Sequence, residues 1–219
     1  MREVFQNELD SLADMLVEMT QKVSVAMEKS KEALRTNNLE LAEEVIAADV
    51  EIDRLQLELD KSAAEILALQ APVARDLRVV IATLRMSASI ERMGDLARHV
   101  SQQVRIRFPE SAVPDDFRQI LKDMTTAAVR IAHAIQELVS EPGLDAVPTI
   151  DDLDETLDTL HLAVFTKIAG SNLSPSQVAD VTLLSRYLER FGDHAVSIAQ
   201  RIEYLLTGSW TSELIPGTD

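Results

Sequence analysis

Two stretches of the chain carry residue types that could do chemistry: ERMGDLA at 91–97 and ERFGDHA at 189–195. Each sets two carboxylates four residues apart around a central glycine, Glu91 with Asp95 and Glu189 with Asp193. On a helix, residues so spaced lie one above the other, roughly 5–6 Å apart at Cβ. Each stretch therefore presents an acid pair on one face. Two further pairs share the spacing, Asp49 with Asp53 in ADVEIDRL and Asp154 with Asp158 in DETLDTLH. Each of these acids directly follows an apolar stripe residue (Ala48, Ile52, Leu153, Leu157), which places it on the flank of a helix seam. Flanks of neighbouring helices meet when their axes approach to about 8–10 Å. Four carboxylates would then converge in each half of the chain. Asp151 with Glu155 offers an alternative to Asp154 with Asp158, one turn away.

Facing carboxylates do not all stay ionised unaided. Either some bind protons at a raised pKa, or a cation neutralises them. An all-oxygen donor set suits Mg, Ca, Mn or Fe, and Zn where a histidine joins it. His99, four residues after Asp95, and His161, three after Asp158, are candidate nitrogen donors. A mid-helix glycine costs about 1 kcal/mol relative to alanine. Gly94 and Gly192 have a use if they let the facing helix or an ion's water shell approach. Arg92 and Arg190, beside the acids, are placed to balance charge. Taken singly, such an acid pair is commonly a solvated face and such a glycine a packing device. The repetition in two halves is what argues for metal.

The elements that must hold these acids are helices. Phe5, Leu9, Leu12, Leu16, Met19, Val23 and Ala26 recur at steps of four and three. Leu41, Val45, Ala48, Ile52, Leu55, Leu59, Ile66 and Leu69 do likewise, with Ser62 in one slot. Such stripes predict long helices packed side by side, and the short turn at Thr36-Asn37-Asn38 makes the first two antiparallel. Ala71-Pro72 marks the next break, and a third helix carries Leu77, Val80, Leu84 and the first acid stretch to about Arg107. The proline-flanked segment 108–114 then divides the chain. Phe117 to Leu138 predicts a fourth helix and Leu153 to Val164 a fifth. Ser174-Pro175-Ser176-Gln177 reads as a capping box opening a sixth, which runs to about Leu206 with Gly208 placed to close it. The predicted fold is all-α, six helices as two tandem, pseudo-repeated three-helix bundles at 1–108 and 114–207, with a loose tail at 208–219.

Composition agrees with helices: hydrophobic residues are 46% and aromatic ones only 4%. The formal charge of −16 would repel phosphate backbones and anionic membrane surfaces, which argues against nucleic-acid binding. The absence of cysteine removes disulfides and thiolate chemistry. The first residues lack a signal peptide's apolar core, and no run of about eighteen apolar residues occurs, so the expected location is the cytoplasm. No nucleophile with its base, phosphate-cradling glycine loop or oxyanion hole is recognisable, which favours a binding protein over an enzyme. A ferritin-like di-iron carboxylate enzyme is the alternative; it calls for two E-x-x-H motifs, and only Asp158-x-x-His161 comes near, with Gln56 at the comparable place in the first half.

At ERMGDLA and ERFGDHA the chain resembles the PhoU family, the bacterial accessory proteins of phosphate-specific transport. Gln70-Ala71-Pro72-Val73-Ala74-Arg75-Asp76-Leu77-Arg78 is similar to the family's segment opening the third helix. Asp49/Asp53 and Asp154/Asp158 sit where its second acidic motifs fall. The resemblance spans nearly the whole chain. Two departures lie in the second half: it lacks a counterpart of Pro-Val-Ala-Arg-Asp-Leu-Arg, and its two acid motifs are closer together in sequence. The resemblance implies two three-helix bundles carrying metal clusters, iron or zinc, on Asp49, Asp53, Glu91, Asp95, Asp154, Asp158, Glu189 and Asp193, with magnesium or manganese allowed by the donor set. It also implies a regulator that represses the phosphate-starvation response by bridging the importer's ABC ATPase and a sensor histidine kinase. A homodimer or higher oligomer is implied, with membrane contact only through partners.

Overall fold

A computed structural model describes residues 2–208, and the described residues form six α-helices. They are α1 (Arg2–Thr36), α2 (Leu39–Gln70), α3 (Ala74–Arg107), α4 (Arg118–Ser140), α5 (Val147–Ala169) and α6 (Pro175–Thr207). Local chemistry accounts for their ends. Asn38 caps α2, its side-chain oxygen accepting from the Leu41 N–H at 3.1 Å, which satisfies one of the helix's orphan donors. Ala71, in the left-handed region with φ 45°, stops α2 just before Pro72. At α6 the predicted capping box forms: Gln177 N–H donates to Ser174 Oγ at 3.3 Å, and Ser174 N–H donates to Gln177 Oε1 at 3.0 Å. Gly208, with φ 77°, closes α6. The remainder of the expected tail, 209–219, lies outside the described residues.

Two details differ from the sequence expectation. Helix α5 begins at Val147, ahead of the stripe that starts at Leu153, because Pro148 falls in the first turn, where its missing N–H has no intrahelical partner to lose. In α2 the buried seam runs through Asp49 rather than Ala48 and through Ala63 rather than Ser62, while Leu69 is 79% exposed. Ala42, Asp49 and Ala63 keep the seven-residue spacing and stand one residue on from the expected row of Leu41, Ala48 and Ser62, while the row of Val45, Ile52, Leu59 and Ile66 is buried as expected. Asp49 thus turns inward to the contact with α3, where Arg98 meets it.

Within each half the three helices pack on one another, and the halves are joined where α3 lies along α6 and α1 along α4. The buried apolar side chains form one connected core, with Phe117, Phe191, Met19, Met27, Met93 and Met124 among its largest fully buried members. Polar ties reinforce specific contacts. Ser30 Oγ of α1 lies 2.9 Å from both Ala97 O and Ser101 Oγ of α3. Across the halves, Arg107 at the end of α3 sets Nη2 2.9 Å and Nε 2.7 Å from the two oxygens of buried Asp180 on α6.

Removing one member of that ion pair leaves its partner's charge without compensation. Asp180→Asn is expected to lower the melting temperature, and Arg107→Met added to it to recover part of the loss. Thermal melts of the three proteins measure this; a double variant less stable than Asp180→Asn alone would contradict it.

Candidate functional site

The acids of each half meet where α2 faces α3 and where α5 faces α6. In the first half Asp49 is only 8% exposed, Glu91 and Asp95 are half-buried and Asp53 is exposed. Burial raises the pKa of Asp49, Arg98 opposes that, and Asp53 and Asp95 add to it. Glu91 is raised by burial and by Asp95, against Arg92, with Asp53 and Asp49 contributing. All four carboxylates thus share one electrostatic field. The cation among them is a side chain: Arg98 Nε lies 2.5 Å from Asp49 Oδ2 on α2, and its Nη2 bonds Asp95 Oδ1 on its own helix. Arg92 donates from Nη1 to Asp95 Oδ2 at 2.9 Å and holds Nε 3.5 Å from Glu91 Oε2.

The second half brings the same four positions together with less compensation. Asp154 is half-buried and its pKa is pushed up to about 7, by burial first and then by Asp158, Asp193, Glu189 and Asp151. Buried Glu189 is also raised, by burial and Asp193, against Arg186, with Asp158 adding and Arg190 opposing. Asp158 and Asp193 are exposed at the rim. Arg186, one turn earlier on α6, bonds Glu189 Oε1. Matching the two ER-G-D stretches sets Val196 where the first half has Arg98, so no guanidinium bridges α5 to α6 there. Asp154 Oδ1 and Glu189 Oε2 are accordingly buried without a hydrogen-bond partner. An orphaned buried acceptor costs on the order of 1–3 kcal/mol, and more when charged. It is here that a proton or a cation has most to stabilise.

Both glycines face these acids. A Cβ on Gly192 would stand 2.1 Å from Asp154 Oδ1 and 3.1 Å from Leu157 Cδ1. On Gly94 it would meet Ile52 Cδ1 at 2.8 Å and Asp49 Oδ1 at 3.5 Å. Close approach of the facing helix is therefore what each glycine admits. Glu155 and Asp151 are exposed, and Asp151 acts on Asp154 only as the smallest of its contributors. His161 Nδ1 lies 3.0 Å from Ser185 Oγ with its ring edge-on to Phe165, while His99 packs against Tyr187 at 5.1 Å and its Nδ1 is buried without a hydrogen-bond partner. Burial lowers the pKa of both.

Among the described residues, no three His, Asp or Glu side chains stand as they are in positions to hold a metal ion. The second half nonetheless fits one in donor type and in its two unpartnered oxygens, with Asp158 and Asp193 needing to turn inward. In the first half Arg98 occupies the equivalent place. Arg98 and Arg186 were missed by sequence reasoning; their spacing of three from Asp95 and Glu189 was the available signal, but Arg98's reach to Asp49 was not in the sequence.

Comparison with known proteins places these features in context. The family model described as PhoU domain matches residues 16–104 and again 121–202, so each match contains one ER-G-D stretch. The chain is 38% identical over 212 residues to the phosphate-specific transport system accessory protein PhoU homolog 2 of Mycobacterium tuberculosis, covering 96% of this chain and 100% of that relative. Against the corresponding homolog 1 of Mycobacterium leprae it is 35% identical over 221 residues, covering 100% of each. The crystal structure of the phosphate transport system regulatory protein PhoU from Streptococcus pneumoniae superposes with a TM-score of 0.84 at 26% identity, covering 94% of this chain and 99% of that one. PhoU from Pseudomonas aeruginosa does so at 0.86 and 24% identity, covering 94% and 100%. The relatives are named as accessory and regulatory proteins.

Two outcomes are expected of the second acid cluster. In chelator-treated protein, the raised pKa of Asp154 means that the folded state holds this proton more tightly than the unfolded chain. Its contribution to stability is full below the ordinary carboxylate pKa and is lost as pH rises through about 7. The melting temperature should therefore fall between pH 5 and pH 8 less steeply in Asp154→Asn than in the parent; equal slopes would remove the assignment. Gly192→Ala gains about 1 kcal/mol of helix propensity but drives out the Asp154 carboxylate, so it should flatten the same pH slope. Gly94→Ala, which meets only the end of Ile52 at close range, should not.

Proposed function

The chain belongs to the PhoU family, and from that premise we propose that it is a cytoplasmic, metal-binding regulatory adaptor of phosphate uptake. It restrains the phosphate-starvation response by linking the phosphate importer's ATPase to a sensor histidine kinase. The observation that carries this reading is similarity along almost the entire chain to relatives named as accessory to phosphate-specific transport. Among the described residues no helix is long and apolar enough to cross a membrane, which suits membrane contact through partners. The charge of −16 disfavours nucleic acid as a partner.

Metal would be held by Asp154, Asp158, Glu189 and Asp193 in the second half, and by Asp49, Asp53, Glu91 and Asp95 in the first once Arg98 swings out from between Asp49 and Asp95. Bound ions would neutralise the facing carboxylates and tie adjacent helices together, fixing the faces offered to partners. Leu57 of α2 and Leu162 of α5, at matching distances from Asp49 and Asp154, are 69% and 68% exposed. Val50, seven residues before Leu57, and Phe165, three after Leu162, are also exposed. Each half thus presents neighbouring apolar side chains on one helix face, which supports protein docking or self-association as a homodimer or higher oligomer. The ferritin-like alternative lacks its second E-x-x-H motif, since Gln56 stands at the comparable place in the first half.

Elemental analysis of protein purified without chelator tests the metal assignment. Glu189→Ala/Asp193→Ala is expected to lose most bound metal and Glu91→Ala/Asp95→Ala to lose the remainder; unchanged stoichiometry in both refutes it. Pull-downs from phosphate-replete cells test the adaptor role. The parent should recover kinase and importer ATPase, and Leu57→Glu/Leu162→Glu, with an unchanged melting temperature, should recover less of at least one. Recovery of neither by the parent would end the adaptor reading.

A further inference from the structure

Where α3 crosses α6, a groove of about 350 Å³ is lined by Arg85 and Arg92 from α3 and by His194 and Arg201 from α6. A cavity of about 180 Å³ shares Arg85 and Arg201 and adds Arg78 and Tyr204, with the Arg78 guanidinium 5.9 Å from the centre of the Tyr204 ring. Among the described residues the only carboxylate lining either space is Glu91, and Arg92 already stands 3.5 Å from it. This is a basic enclave in a chain with 37 acidic and 21 basic side chains. Elsewhere Arg35, Arg54, Arg98, Arg107, Arg118 and Arg186 each hold a carboxylate. Arg85 and Arg201 instead line the same two spaces, and among the described residues no acid stands between them. Burial and the charge of Arg85 depress the pKa of Arg201. One Nη of Arg201 donates to Ser197 O at 2.5 Å, while its Nε is buried with no hydrogen-bond partner.

Two guanidiniums crowded together with an unused buried N–H are costly until an anion enters. Guanidinium forks match a tetrahedral oxyanion, each offering paired N–H donors to its oxygens. An aliphatic carboxylate brings one charge and two oxygens, whereas a phosphate-type group brings up to two charges and oxygens enough for three arginines. We infer that the α3–α6 groove binds a phosphate-type oxyanion, either free phosphate or the phosphoryl group of a small phosphorylated molecule, through Arg85 and Arg201 with Arg92 at the rim. The inference stands on the groove's own charges and does not need the adaptor role or the metal.

The test titrates the full chain, stripped of metal with chelator and dialysed free of phosphate, with inorganic phosphate, pyrophosphate and ATP by calorimetry at low ionic strength. At least one probe should bind saturably, and Arg85→Gln should weaken it about tenfold or more, the loss expected of a charge-assisted fork. Arg54→Gln, a surface change on α2, should leave it unchanged. Binding of free phosphate assigns the site to the ion; binding of pyrophosphate or ATP without it assigns the site to a phosphoryl group on a larger molecule. In phosphate-free buffer Arg85→Gln should also raise the melting temperature, because the repulsion of Arg201 is gone, and the bound probe should no longer raise it further. Arg85 is exposed, so this variant folds even if Arg201→Gln does not. Absence of saturable binding by every probe, or equal affinity in Arg85→Gln, overturns the inference.

Discussion

Asp49 and Asp154 project from the second helix of their halves into a contact that water scarcely reaches. A glycine opposite each removes the side chain that would otherwise hold the helices apart. An ionised carboxylate in such a place must be met by a counter-charge or by a proton. The first half meets this need from within, with Arg98 spanning Asp49 and Asp95. The second has Val196 at the equivalent position and leaves Asp154 Oδ1 and Glu189 Oε2 without partners. One architectural constraint, repeated twice, has therefore received two different electrostatic solutions. The repeat in sequence does not extend to the counter-ion.

Helices α3 and α6 carry both kinds of site because a long helix presents distinct faces. One face of each supplies acids to the neighbouring helix of its own half. Another brings the two helices against each other, where Arg85, Arg92 and Arg201 gather. The Arg107–Asp180 pair secures the far end of the same contact. Negative and positive enclaves are thus adjacent, sharing the Glu91–Arg92 step on α3.

The tight approach of the helices limits what substitution can do without consequence. At Gly192 a methyl group would occupy the space of a carboxylate oxygen, whereas at Gly94 it would press on the movable end of Ile52. The two glycines read alike in sequence and differ in what they admit. The histidines show a similar divergence between sequence and surroundings. Both lie within a turn of the acids, yet His161 turns to Ser185 and His99 to Tyr187 of the other half.

By itself the sequence determined the helices, their limits apart from the start of α5, and the positions of the acid pairs. Caps, turn residues and apolar steps of three and four act between neighbours in the chain, so the Asn38 and Ser174 caps and the stop at Ala71-Pro72 could be read directly. Folding decided the rest. Whether Ala48 or Asp49 faces inward depends on which side of α2 packs against α3, a choice that leaves the seven-residue spacing unchanged. Which guanidinium meets which carboxylate depends on long, flexible side chains reaching across helix contacts, a relation between residues distant in sequence. For the same reason the Arg85–Arg201 groove has no trace in either helix taken alone, and it exists only once α3 lies against α6.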